Sequence, residues 1–176
     1  MRERLEPNTE LGPLVVQLAV SDAQAAIAFY VRAFEASELY RNTEAPAGGR
    51  VAHCELLVAG ARVVVQDEFP EYGLLAPTSL GGTAVSLNLY VANVDDMYAH
   101  AIAAGGRMIV PPTNRFWGAR SGALFDPFGH RWIISTQIDD LAPEDIIRLS
   151  NSAPTEIRLS AAARRRKGSP RRDNAD

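Results

Sequence analysis

An α+β fold made of two βαβββ modules is predicted by three features of the sequence. Short β-rich runs surround a single amphipathic helix, the same order returns with a period of about 70 residues, and helix-cap residues recur at matching places. Sliding one half over the other sets Gln17 on Asn88, Val20 on Val91, Asp22 on Asn93 and Val31 on Ile102, and a slide two residues shorter sets Gly60 on Gly129 and Arg62 on Arg131.

The first module is read over residues 13–68. Leu14–Val20 is a β-rich run, and Asp22 stands as a cap before Ile27, Tyr30, Val31 and Phe34, which fall on one helical face. Glu38–Asn42 reads as a short strand. After a Pro/Gly loop (Pro46, Gly48, Gly49), Val51–Val58 and Arg62–Gln66 read as two strands meeting at a turn around Gly60. Residues 69–82 form a linker. The second module, 83–138, repeats the order: Val85–Val91, a cap at Asn93, and a helix bearing Val94, Met97, Tyr98, Ala101 and Ile102, ended by Gly105-Gly106. Strands follow at Arg107–Val110, Ala119–Phe125 and Arg131–Thr136, with Asp126-Pro-Phe-Gly129 as a tight turn between the last two. Residues 139–150 are read as a terminal helix with Pro143 at its first position, 1–12 as an N-terminal extension, and 151–176 as a disordered basic tail.

Composition narrows the function. The net charge is −3, yet residues 151–176 hold seven of the 18 basic side chains and three of the 21 acidic ones, which leaves a body with 11 basic and 18 acidic groups, or −7. An acidic body argues against a nucleic-acid groove and leaves only nonspecific contacts through the tail. The longest nearly uncharged stretch, Phe69 to Tyr90, is broken by Pro70, Gly73, Pro77, Gly81 and Gly82, so no membrane-spanning helix is expected. A single cysteine and the absence of a basic-then-apolar leader make a cytoplasmic protein the expectation. No nucleotide-binding glycine motif, phosphate loop or Cys-x-x-Cys pair is present, and no cofactor is expected.

The stretches Asp22-Ala-Gln-Ala-Ala-Ile-Ala-Phe-Tyr30, Leu80-Gly-Gly-Thr-Ala-Val-Ser-Leu87, Phe116-Trp-Gly-Ala-Arg120, Asp126-Pro-Phe-Gly-His-Arg-Trp132 and Ala142-Pro-Glu-Asp145 occur in that order. Together they resemble the vicinal-oxygen-chelate superfamily (glyoxalase, bleomycin resistance, extradiol dioxygenase), and in particular its PhnB-like branch, over roughly residues 13–150. The resemblance implies a curved mixed sheet around a concave pocket, within a homodimer. Metal-using relatives place His or Glu on the first and last strand of each module. Here those positions fall on Val15, Val64 or Val65, Ser86 and Ile133, which supply no charged or imidazole donor, so no metal is expected there.

Strand alternation puts Gln17 on the face of Val15 and Asn88 on the face of Ser86, so both amides are expected to face the pocket, bonding a polar ligand, one another or water. Trp117, Trp132 and Arg120, near the second module's pocket strands, are candidate ligand contacts: the indoles as a stacking wall or as core, the guanidinium as an anion anchor or a structural ion pair, with Phe116 as core. His53 and Glu55 share a strand face and are the candidate catalytic pair, for proton transfer or, with His130, for a displaced metal site. His100 is read as surface, and Cys54 as buried and inert. These residues leave three functions open: a small-molecule binding or sequestering protein, a metal-independent enzyme, and a metalloenzyme with a displaced site.

Overall fold

The computed structural model describes residues 14–43 and 49–152. The first module runs β1 (Val16–Val20), α1 (Ala23–Phe34), β2 (Ser37–Thr43), β3 (Val51–Val58) and β4 (Ala61–Asp67). A 3₁₀ turn at Pro70–Tyr72 and the single-turn helix α2 (Pro77–Leu80) lead to β5 (Ser86–Tyr90), α3 (Val94–Ala103), β6 (Arg107–Asn114), β7 (Ala119–Phe125) and β8 (Arg131–Gln137). Helix α4 (Pro143–Ser152) closes the described chain. The expected N-terminal extension, Pro46 and Gly48 of the first loop, and nearly all of the basic tail lie outside the described residues. Among the described residues no helix is long and apolar enough to cross a membrane.

Local chemistry accounts for the boundaries. The Asp22 carboxylate accepts from the Ala25 amide at 2.9 Å, and the Asn93 carbonyl oxygen accepts from the amides of Asp95 and Asp96, so each helix has its leading N–H groups satisfied. At the end of α3 the Gly106 amide donates to Ala101 O at 2.8 Å, where an added Cβ would lie 2.7 Å from the same oxygen, so only glycine fits. The β3–β4 hairpin turns on Ala59 and Gly60, both at positive φ, which matches the right-handed twist of the flanking strands. Strand β6 runs past its predicted end through Pro111-Pro112. It is the sheet edge and its register is broken between Val110 and Thr113, so the missing amides cost no ladder bond.

The strand orders are β1-β4-β3-β2 and β5-β8-β7-β6, with the first pair of each parallel and the others antiparallel. These are the two βαβββ modules of a curved mixed sheet. Their helix-bearing faces share one core. Leu18, Val20, Val63, Val65, Cys54 and Leu56 of the first sheet join Leu89, Leu124, Trp132 and Ile134 of the second, with Phe29, Tyr30, Phe34 and Tyr98 of the helices between them.

Asp126 pins this core. Its buried carboxylate accepts from the Tyr30 hydroxyl (2.7 Å), Trp132 Nε1 (2.9 Å), and the amides of Phe128 (3.0 Å) and His130 (2.9 Å), joining helix α1 of one module to the β7–β8 turn of the other. Burial first, then the Asp126 charge, pushes the Tyr30 hydroxyl pKa well above its ordinary value, so it stays a donor.

Cys54 points into the same core and is fully buried. Burial, reinforced by the Glu38 charge and only partly offset by Arg41 on the neighbouring strand, pushes its thiol up to about 11. Native protein at pH 8 is therefore expected to resist iodoacetamide for hours and to react within minutes in strong urea. Rapid native alkylation, read by intact mass, would show that β3 opens on that timescale.

Candidate ligand-binding faces

Each sheet has a second face that carries no helix. On the first, register sets Gln17, Val64, Glu55 and Tyr40 in one row across the four strands, and Gln66 and His53 beside them. The polar side chains here form two hydrogen-bonded groups. Gln17 Nε2 donates to Gln66 Oε1 at 2.6 Å. The Glu55 carboxylate accepts from the Tyr40 hydroxyl at 2.9 Å and from Arg62 Nη1 at 2.6 Å, with His53 Nε2 at 3.4 Å. The His53 ring stacks on Tyr40, with centroids 5.4 Å apart. The Tyr40 hydroxyl above all, and then Arg62 and His53, hold the Glu55 carboxyl below the usual carboxylate range despite some desolvation. Glu55 is thus an acceptor and the counter-ion of Arg62, not an acid.

The helix-free face of the second sheet has another character. Its rows are Ser86–Arg131–Phe125–Arg107, then Asn88–Ile133–Ala123–Val110, then Tyr90–Ser135–Ser121–Thr113. Arg131 Nη1 donates to Ser86 Oγ at 3.2 Å, and Arg107 lies over the Phe125 ring at 4.6 Å. From the loop after β6, Arg115 reaches Ser121 Oγ at 3.1 Å, with Trp117 5.8 Å from its guanidinium. Trp117 is 36% exposed and meets Phe116 edge to face. Asn88 is exposed and has no side-chain partner among the described residues.

Gln17 and Asn88 occupy matching places in the two modules, but the structure does not bring them together. Because the helix-bearing faces pack on each other, the helix-free faces turn away from the shared core. Gln17 bonds Gln66, not Asn88. Arg120 is on the wrong face for a ligand on this side. It alternates with Ser121, and its guanidinium makes a bidentate pair with Asp95 of α3, both contacts at 2.7 Å, and holds that carboxyl low. Trp132 is core, 3% exposed and 4.6 Å from the Phe34 ring. It also borders, with Asn88, Leu87, Val16 and Val63, a cleft of about 670 Å³ between the modules whose lining mixes apolar groups with Arg62, Ser86 and Asn88. The His130 ring sits 3.1 Å from Ala19 O, a contact between modules, and His100 is exposed beside Glu35. Among the described residues no three His, Cys, Asp or Glu groups converge, so His53, Glu55 and His130 do not assemble a displaced metal site.

The register also decides the position left open between Val64 and Val65. Val64 pairs with Gln17 and Glu55 on the helix-free face, whereas Val65 is in the core. The positions expected from the resemblance then fall on Val15, Val64, Ser86 and Ile133, and the single hydroxyl among them already accepts from a guanidinium. This donor set does not fit a divalent cation. Tyr40, Gln66, Arg62, Arg131, Arg115 and Asp126 are site or core-pinning residues not chosen from the sequence. The coincidence of Arg62 with Arg131 under the internal repeat was the one available signal.

A family model described as "Glyoxalase/Bleomycin resistance protein/Dioxygenase superfamily" matches residues 12–134. An uncharacterized protein of Mycobacterium tuberculosis, Rv0887c, is 37% identical over 132 residues, 73% of this chain and 76% of its own. TioX from Micromonospora sp. ML1 is 30% identical with a TM-score of 0.57, over 70% of this chain and 97% of that one. The fosfomycin resistance protein FosX from Listeria monocytogenes, at 21% identity and a TM-score of 0.55 over 77% and 97%, shares the fold.

Proposed function

The chain belongs to the Glyoxalase/Bleomycin resistance protein/Dioxygenase superfamily, and we propose that within it, on a PhnB-like branch, it is a small-molecule-binding protein that works without the superfamily's metal. The carrying observation is that the second sheet's helix-free face, with the expected metal positions Ser86 and Ile133, has no Asp or Glu on its strands, while Asn88 stands unpartnered beside them and Trp117 lies at the far end. Amides and an indole orient a ligand without supplying a reacting group. One chain presents its two helix-free faces back to back, so each lacks an opposing wall. We infer a homodimer in which the first sheet of one protomer covers the second sheet of its partner.

The test is a ligand screen read by tryptophan fluorescence, which separates the half-exposed Trp117 from the buried Trp132. Losing a stacking indole or leaving a ligand polar group unpaired each costs about 1–3 kcal/mol, so Trp117→Ala or Asn88→Leu is expected to weaken a hit roughly five- to 150-fold with folding intact. Unchanged affinity in both variants, or a protein that sediments as a monomer while binding fully, would overturn this reading.

A further inference from the structure

Duplication makes Arg62 and Arg131 counterparts, since Arg62 pairs in register with Leu57 and Arg131 with Phe125. In the first module Arg62 has its acid, Glu55, two residues along β3 from Leu57. The residue two along β7 from Phe125 is Ala123. Arg131 has inherited the position without the carboxylate.

The absence extends over the whole sheet. None of β5, β6, β7 or β8 contains Asp or Glu. Among the described arginines, Arg41, Arg50, Arg62, Arg120 and Arg148 are paired with carboxylates. Of those that are not, Arg107, Arg115 and Arg131 all lie on this one helix-free face. Between the Arg131 row and the Arg115–Ser121 row lies the short floor of Ile133 and Ala123. At about 3.3 Å per residue the two outer rows stand about 13 Å apart, within reach of two arginine side chains from either end.

Resting on the binding function proposed above, we propose that the ligand is an oxyanion, a carboxylate or phosphonate on a compact apolar body, anchored by Arg131 with its body on Ile133 and Ala123 and its far end toward Arg115 and Trp117. The Arg131 guanidinium supplies the positive charge at the place where metal-using relatives hold a cation. It presents a planar fork that matches either oxyanion.

Full-length protein with labelled Ile and Ala methyl groups tests this, titrated with phenylphosphonate, benzoate and neutral benzamide. Both anions are expected to shift the Ile133 and Ala123 methyl signals, and their relative affinities distinguish the two headgroups. Arg131→Gln should weaken them about ten- to 150-fold, as expected for charge-assisted bonds, while Arg32→Gln, the same charge change on exposed α1, should alter them less than about twofold. Anion and neutral probes binding Ile133 equally, with no effect of Arg131→Gln, would overturn the anion assignment and leave the binding function standing. No shift at these methyls from any probe would overturn both. An Arg131→Gln protein that loses its dimer but keeps its anion affinity would also overturn the assignment, by showing that Arg131 pairs with a carboxylate of the second copy.

Discussion

Replacing Asp126 by alanine is expected to remove about 3–5 kcal/mol of stability, a large share of the roughly 5–15 kcal/mol that holds such a chain folded. The carboxylate accepts four hydrogen bonds in the core, from Tyr30, Trp132 and the amides of Phe128 and His130. Alanine leaves all four donors without an acceptor where water does not reach, and each buried unpaired donor costs about 1–3 kcal/mol before relaxation. Tyr30→Phe removes one donor and leaves the carboxylate three, so it should cost only about 1–2 kcal/mol. Urea melts of the full chain at neutral pH give both numbers. An Asp126→Ala loss below about 1 kcal/mol would mean that the carboxylate is not the joint between the modules.

Phe34→Ala is expected to cost a similar amount, about 3–5 kcal/mol, by opening a cavity between the modules. The ring is 1% exposed, stacks on Tyr30 at 5.9 Å and meets Trp132 of the other module at 4.6 Å. The losses from Phe34→Ala and Asp126→Ala should not add, because both changes act on Tyr30 and Trp132. Both variants should unfold in one transition, with the same midpoint by tryptophan fluorescence and by far-ultraviolet circular dichroism. Two separated transitions in either protein would show that each module holds together without the other.

Much of the fold was legible in the sequence because local chemistry dictates it. Asp22 and Asn93 mark helix starts through their own side chains, Gly105-Gly106 stops α3, and the apolar spacing in α1 names Ile27, Tyr30 and Phe34 of its buried face, though Val31 at its rim is exposed and Phe29 is buried in its stead. The period that sets Gln17 on Asn88 and Arg62 on Arg131 likewise exposed the duplication, which the two sheets repeat strand for strand. Alternation along a strand states which residues share a face, and it placed His53 with Glu55 correctly.

Only the tertiary structure decided what each face meets. Alternation is blind to whether two faces enclose one cavity or turn away from each other, and packing of α1 on α3 and β8 turned them away, separating Gln17 from Asn88 and sending Arg120 to Asp95. Partnership across strands is also non-local. Sequence spacing could not show that Glu55 neutralises Arg62 while Ala123 leaves Arg131 without a carboxylate, nor that Asp126, read as a turn residue, holds a tyrosine 96 positions away. Charges and hydrogen bonds act through space at a few ångströms, and only the folded chain determines which groups stand that close.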